Sequence, residues 1–452
     1  MKRLLWFRRD LRVEDNPILS HDGEVLPVFI FDTNILSKLE PDDKRVSYIF
    51  HYVLKLKHDL QKLNLDLKIF YGDPISIIEK LQSIHGFDEV VASGDYDSYA
   101  KDRDKRVSHI LPFRYLQDTY IFKHNEVLKD DGSIYYVFTP FYKKALKILD
   151  AKNIEMVKLG SLKLTSEEYE QMFVSENKCF LQRDATLKNL GFIEQKLELT
   201  SPKQKIQVFE KQLHHYKEKR DFLNSDVSSQ LSIDLRFGTI GIRELLRIFL
   251  VLQGSEAFVR QLIFRDYYAY LLFHIPSLET QNYKYSFNGI EDEKKYRAFC
   301  TATTGVPIID AGIRELLETG NMHNRVRMVV ASFFTKDLLL PWQWGEKFFA
   351  QYLLDYDKAS NVLSWQWSAG TGVDPQPYFR VFNPYLQGAK FDKEAKYIQK
   401  YCPELLDIDA KKLHNEEYLY QNSINGYPKP FVHHKLAAKK AIEIFKDRPS
   451  KP

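Results

Sequence analysis

NMHNRVRMVVASFFTKDLLLPWQWGEKFFAQYLLDYDKASNVLSWQWSAGTGVDPQPYFRVFN, residues 321–383, is the stretch on which the reading of the chain turns. Four of the chain's five tryptophans fall in it: Trp342, Trp344, Trp365 and Trp367. It holds one polar cluster of His323, Asn324, Arg325, Arg327 and Met328, and another of Asp355, Asp357 and Asn361. The apolar residues between them recur at helical spacing, first Val330, Phe334 and Leu338, then Phe348, Tyr352 and Leu353. Polar groups that interrupt buried helices must be satisfied by one another or by a ligand.

Taken singly, each of these residues serves an ordinary helical bundle as an N-cap or ion-pair partner. As a set packed with tryptophan, they point to a bound ring system. A flavin matches the mixture. Its N3–H needs an acceptor, and Asp355 and Asp357 can accept. Its N5 needs a partner in either protonation state, and the amide of Asn361 has both a donor and an acceptor end. Trp365 lies four residues after Asn361 and so shares its helical face. With Trp342 one helical segment earlier, these oxidisable rings are placed to carry electrons to the flavin, although core packing is the commoner fate of tryptophan.

Outside this stretch the chain divides in two. LLWF (Leu4–Phe7), VLPVFIF (Val25–Phe31), LDLKIFY (Leu65–Tyr71) and DEVVAS (Asp88–Ser93) are short apolar runs. Between the second and third, Ile49, Val53, Leu56, Leu60 and Leu63 make one helical face. Strands alternating with helices predict an α/β domain with a parallel sheet, whose ligands sit at the carboxyl ends of the strands. RRDLRVEDNP after the first strand reads as a polar loop. No GxGxxG or GxxxxGK[ST] is present, which excludes a standard dinucleotide fingerprint or P-loop. Residues 131–202 read as a long surface connector. From Gln204 onward helices dominate, among them PIIDAGIRELLETG between Pro307 and Gly320 and a basic amphipathic helix in KLAAKKAIEIFKDRPSKP.

Composition bounds the function. At 452 residues, two or three domains are expected, and aromatics make up 14%. A net charge of +4 excludes a strongly basic nucleic-acid coat and leaves room for a local basic face. Cys179, Cys300 and Cys402 are too few and too scattered for a disulfide framework, which predicts a reducing, cytoplasmic compartment. MKRLLWFRRDLR reads as a buried strand rather than a signal peptide, and no apolar run is long enough to span a membrane. His323 has no second ligand at metal spacing, so no metal is expected.

Two further groups suggest chemistry. Ser228, Ser229 and Ser232 precede the helical pattern around Ile242–Leu252 and could cradle phosphates at its start. Arg220, Arg265, Arg325, Arg380 and Lys390, interspersed with Phe264, Trp367, Tyr378 and Phe379, suit an opened nucleic-acid strand. Spacing alone leaves a solvated, salt-bridged surface equally open for the second group.

Together with LLWFRRDLRVEDNP, YYVFTPFYKKAL, TGVPIIDAGIREL, MHNRVRM, DYDKASN, WQWSAGTG, PYFRVFNP, QGAKFD and YPKPFVHHK, in that order, the chain resembles the photolyase/cryptochrome family over nearly its full length. The resemblance implies a Rossmann-like α/β antenna domain (residues 1–130), a connector (131–202) and an all-α domain (203–452) that holds FAD and binds DNA. It implies that Tyr216, Ser228, Ser229, Gln230, Leu231 and Ser232 line the FAD phosphates and ribityl chain. Asn324, Arg327, Asp355 and Asp357 would hold the flavin and its adenine side, with an Arg327–Asp355 pair by the ring, and Asn361 would face N5. Gln261 and Arg265 join this cofactor set. Trp365 and Trp342 match the inner members of an electron-carrying tryptophan chain. Met328 matches a lesion-side methionine. Arg220, Arg325 and Arg380 match DNA-contacting positions, and Phe264, Met328 and Trp367 complete that set.

The implied activity is light-driven repair of cyclobutane pyrimidine dimers, by electron transfer from excited reduced FAD to a dimer flipped out of damaged DNA, with Asn361, Trp365, Trp342, Met328 and Gln261 in catalytic roles. A monomer is expected. The chain departs from the family where Gln261 and Phe264 replace a Glu and a Trp that touch the lesion. It departs again where NYKYSFNGIEDEKK lacks the outermost tryptophan, so that Tyr283 or Tyr285 could take its place. Lys358 in DYDKASN replaces an apolar residue. YDSYAKD lacks the Asn-Glu pair of a folate antenna, which leaves the second chromophore open. A cryptochrome-like blue-light photoreceptor without repair activity, or a (6-4) photolyase, are the alternatives. A long extension past the last helix would favour the photoreceptor, and the sequence stops soon after that helix.

Overall fold

The computed structural model describes residues 1–165, 186–285 and 289–447. Cys179, the middle of the expected connector, residues 286–288 of the stretch without tryptophan and the last residues of the expected terminal helix lie outside the described residues. The chain divides into two compact units. The first comprises residues 1–134, 142–208 and 229–274, and the second 135–141, 209–228 and 275–452.

In the first unit, apolar runs become strands because both of their faces are covered. β1 (Lys2–Phe7), β2 (Gly23–Asp32), β3 (Lys68–Gly72), β4 (Glu89–Ser93) and β5 (Phe113–Leu116) form a parallel sheet in the order β3-β2-β1-β4-β5. β1 runs in register with β2 from Lys2↔Glu24 to Phe7↔Phe29 and with β4 from Arg3↔Glu89 to Leu5↔Val91. Parallel neighbours need crossovers, and α1 (Lys44–Gln61), α2 (Pro74–His85) and α3 (Ser98–Ser108) lie between the strands. Alternation along β1 sends Leu5 and Phe7 into a core with Val53, Leu56 and Leu60 of α1. Leu4 and Trp6 enter a second core with Ile77, Ile78 and Leu81 of α2. Asp43 caps α1 by accepting from the Arg45 N–H. Asp73 caps α2, which opens on Pro74 and ends at the left-handed Gly86. The expected α/β domain with a parallel sheet is therefore present.

Two strands were not legible. β5 reads FRYL, with Arg114 and Tyr115 exposed, and makes no apolar run. β6 (Leu162–Leu164) is three residues long and pairs with Gly23–Val25 of β2, from within the stretch expected to be connector.

The expected polar loop after β1 is present, and its charges form a buried ionic hub. Asp10, Arg12, Asp15 and Asn16 are all buried. Arg12 donates to both oxygens of Asp118 at 2.6 and 2.9 Å, and Arg243 donates to the same carboxylate at 2.9 Å. Arg247 reaches Asp15 at 2.8 Å. Burial pushes the Asp118 carboxyl up, but the Arg12 and Arg243 guanidiniums outweigh it and hold the group below the usual carboxylate range. The unit is completed by α4 (Ser232–Phe237), α5 (Ile242–Phe249) and α6 (Glu256–His274). In α5, Arg243 and Arg247 lie one turn apart and both face the hub.

Helices make up most of the second unit. α7 (Glu293–Cys300), α8 (Pro307–Thr319), α9 (Asn324–Ser332), α10 (Trp342–Tyr352), α11 (Lys358–Ala369), α12 (Pro384–Phe391) and α13 (His434–Lys446) follow in order. As expected, Pro307 opens α8 and Gly320 ends it, in a left-handed conformation. A π turn at Phe333–Asp337 continues α9. It carries the fully buried Lys336, whose ammonium donates to the carbonyls of Arg380 (2.9 Å) and Tyr378 (3.5 Å).

Asp266 in α6 is 4% exposed, and burial pushes its carboxyl up to about 7 against the opposing N–H of Phe122, which donates to it at 2.9 Å. A carboxyl raised on folding contributes stability while protonated and loses it as pH rises through the folded value. The native chain should therefore lose stability relative to Asp266→Asn between about pH 4 and about pH 7, by at most about 1.4 kcal/mol per pH unit. Chemical denaturation of both proteins across that range reads the difference, and parallel curves would refute the assignment.

Candidate functional site

The site residues of the second unit gather around the turn between α8 and α9 and the loop that enters α11. His323 caps α9, its Nδ1 accepting from the Arg325 N–H at 3.2 Å. Burial pushes the imidazole pKa down, which keeps it neutral and able to accept. Arg327, one turn on, donates to the Met322 carbonyl (2.8 Å), Asn321 Oδ1 (3.2 Å) and Asp355 Oδ2 (3.0 Å). One guanidinium thus ties the α8–α9 turn to the α11 entry loop. It satisfies only one oxygen of Asp355. The other, Oδ1, is buried and has no partner among the described residues.

α11 begins where Asp357 accepts from the Ser360 N–H at 3.1 Å. That cap sets the phase of the helix and puts Asn361 and Trp365 on one face. The Nδ2 group of Asn361 donates to the Glu346 carbonyl and to Glu346 Oε1, each at 3.1 Å. Two acceptors on that side fix the amide orientation. The donor end is therefore committed, and what Asn361 can offer a ligand is its oxygen. The sequence reading left both ends available, and Glu346 removes one. Glu346 also accepts from Tyr356 Oη at 3.1 Å, and burial pushes its carboxyl up. Its partnership with Asn361 had no sequence signal, because the two residues lie on different helices.

Trp365 is 1% exposed and is held edge-on by Phe349 (4.9 Å) and Phe334 (5.3 Å). Its ring fits only because residue 345 is glycine: a Cβ there would stand 2.2 Å from Trp365 Cη2. The Trp365 Nε1–H is buried and without a partner among the described residues. Trp342 is also buried, and its Nε1–H donates to Asn282 Oδ1 at 2.7 Å.

The nucleic-acid candidates of this unit differ in availability. Arg380 and Phe379 are exposed beside the half-buried Tyr378 and Trp367, and Trp367 faces Phe382 at 6.5 Å. Lys336, through its two carbonyl contacts, pins this loop from below. Arg325 is not a free cation. It donates to Asp221 at 2.7 Å and lies 4.4 Å over the Phe391 ring. Arg220 lies 5.7 Å over Tyr216. Met328 is half-buried, with the Asn324 amide 3.8 Å from its sulfur. Lys390 rests on Phe391 at 5.1 Å.

One of the boundaries between the units falls after Ser228. In the first unit, Ser232 opens α4, not the helix around Ile242–Leu252 as expected. α4 has six residues and ends at the left-handed Gly238. Ser229 Oγ accepts from the Leu231 N–H at 3.4 Å, Gln230 adopts a left-handed backbone, and Leu231 is buried. Arg265 is bound to its own unit, donating to the carbonyls of Thr119 (2.6 Å) and Leu235 (3.3 Å) and lying 4.4 Å over Tyr120. On the same helix Gln261 and Phe264 are half-buried, and Phe264 meets Tyr268 edge-on at 4.7 Å.

Among the described residues no group of three or more His, Cys, Asp or Glu could hold a metal, and no helix is long and apolar enough to cross a membrane.

Residues 3–158 match the family model described as DNA photolyase, and residues 258–447 match the model described as FAD binding domain of DNA photolyase. The deoxyribodipyrimidine photo-lyase of Alkalihalophilus pseudofirmus is 33% identical over 478 aligned residues, covering 98% of each chain. That of Synechococcus sp. is 34% identical over 98% of this chain and 96% of its own. The crystal structure of an archaeal photolyase from Sulfolobus tokodaii with two FAD molecules superposes with a TM-score of 0.81 at 31% identity, covering 99% of this chain and 100% of that one. A Synechocystis sp. cryptochrome shares the fold at a TM-score of 0.81 and 20% identity. The chain matches these relatives from end to end and carries their FAD-binding domain, and it belongs to the DNA photolyase family.

Proposed function

We propose that this chain is a deoxyribodipyrimidine photo-lyase, which uses light and FAD to split cyclobutane pyrimidine dimers in damaged DNA. The observation that carries the reading is the arrangement one turn apart on α11: an amide left with only its acceptor end, followed by a buried indole with an unpartnered N–H. With the open Asp355 Oδ1, these atoms fit a ligand rich in N–H donors and aromatic surface, as a flavin is. The names of the full-length relatives support the same reading.

When bound and reduced, FAD supplies the light-excited electron that opens the dimer and takes it back afterwards. The residues bind, orient and exclude water. Asp355 Oδ1 accepts an N–H while Arg327, bonded to Oδ2, holds the carboxylate in place. Asn361 Oδ1 accepts a second N–H and favours the protonated form of the group it faces, because Glu346 holds the amide donors away. Ser228, Ser229 and Ser232 are assigned to the phosphates. Trp365 and Trp342 carry electrons inward. Met328, Gln261 and Phe264 are assigned to the lesion, and Arg220, Trp367 and Arg380 to the strand that carries it.

Three outcomes are expected. Chemically reduced protein should restore thymine from a defined cyclobutane dimer in a short single strand under blue light and not in the dark. Failure with an intact flavin spectrum would move the reading to a (6-4) lesion, and failure on both lesions to a photoreceptor, a role left open by Gln261 and Phe264. Asn361→Asp should change the redox state of flavin that accumulates under light, since a carboxylate cannot donate to Glu346. An unchanged absorption spectrum would show that Asn361 does not face the ring. Trp365→Phe should abolish photoreduction from the oxidised state, and a normal rate would remove Trp365 from the electron path.

A further inference from the structure

A positive hole that reaches Trp365 must move to a residue that can shed a proton, or it returns to its source. Neither inner indole can do this where it stands. Trp365 is buried with no proton acceptor at Nε1 among the described residues. Trp342 is 2% exposed and donates to an amide oxygen, Asn282 Oδ1, which is too weak a base to keep the proton. Trp344, on the same helix, is half-buried. Two contacts lead to it from Trp365. The first runs along the chain: the Trp365 ring edge lies directly against Gly345, the residue bonded to Trp344. The second runs through rings: Trp365 to Phe334 at 5.3 Å, Phe334 to Tyr296 at 6.3 Å, and Tyr296 to Trp344 at 5.1 Å.

Tyr296 is the other oxidisable ring on this path. Its hydroxyl is bonded to the Cys300 thiol, and burial raises the phenol above its usual range. The thiol, itself pushed up to about 11 by burial, is no base at neutral pH. With a thiol, a weak proton acceptor, as the partner of its hydroxyl, Tyr296 serves as a bridge between rings, not as a resting place for the hole.

We propose that Trp344 is the solvent-side electron carrier for Trp365, in place of the tryptophan absent from the segment after Asn282; this rests on the flavin reading of α11 given above. Trp365 gives one electron to the light-excited oxidised flavin. Trp344 gives one electron to the Trp365 radical cation, loses its Nε1 proton to water and becomes a neutral indolyl radical. An external thiol returns one electron and one proton to Trp344 and becomes a thiyl radical, two of which join as a disulfide. Within the protein no bond between heavy atoms forms or breaks.

The test is transient absorption of the flavin-loaded protein, with mass-spectrometric mapping of tryptophan oxidation after illumination without thiol. In the unmodified protein, oxidation should concentrate on Trp344, a measurement that depends on no variant. Trp344→Phe should lose the long-lived neutral indolyl signal, whereas Tyr296→Phe, which keeps the bridging ring, should retain it. Oxidation centred on Trp342, Tyr283 or Tyr285, or a long-lived radical surviving in Trp344→Phe, would overturn the proposal. Photoreduction persisting in Trp365→Phe would remove Trp365 from the electron path, and a protein that takes up no FAD would overturn the flavin reading itself, so the failures are distinguishable.

Discussion

A polar group taken out of water must be met by another group of the chain or by something the chain binds. In the first unit the charges of the loop after β1 are met by other groups of the chain. Arg12 of that loop and Arg243 share the carboxylate of Asp118, and Arg247 pairs with Asp15. Such a group of charges is held by geometry: losing one partner would leave a bare buried charge, at a cost of about 3–5 kcal/mol. The second unit leaves part of the constraint unmet. Asp355 keeps one oxygen open, Trp365 keeps its N–H open, and Asn361 has its donors turned away. That local incompleteness is what a cofactor-binding domain needs before its cofactor arrives.

Apolar runs made the central strands legible. β1 to β4 are buried on both faces, and their Val, Ile, Leu and Phe content marks them without reference to anything distant. The face of α1 was legible for the same reason, and so were the ends of α8 at Pro307 and Gly320. β5 and β6 were not, because an exposed four-residue strand and a three-residue edge strand carry no periodic signal. The loop after β1 was legible as polar but its burial was not, because the partners of its charges lie about a hundred or more residues away in sequence.

The candidate site was legible in its residue types and not in their orientation. Asn361 and Trp365 on one face of α11 followed from spacing, and the Arg327–Asp355 contact matches what the family resemblance implied. Which end of the Asn361 amide is free depends on Glu346, and whether Arg325 is available depends on Asp221 and Phe391. These are tertiary facts. The cofactor therefore announced itself through composition, while the chemistry that Asn361 can offer it became readable only when its neighbour on α10 was known.

Gly345 shows what this arrangement demands of the backbone. Within a helix, glycine is about 1 kcal/mol less favourable than alanine, so a stabilisation effort guided by helix propensity would choose alanine there. The added methyl would fall 2.2 Å from the Trp365 ring, and overpacking of that kind costs about 1–3 kcal/mol. If Trp365 carries electrons as proposed, more than stability is at stake, because electron tunnelling weakens exponentially with separation, and the same methyl would push the indole off α10. At position 345 the ordinary rules of helix design and the packing of the Trp365 ring point in opposite directions.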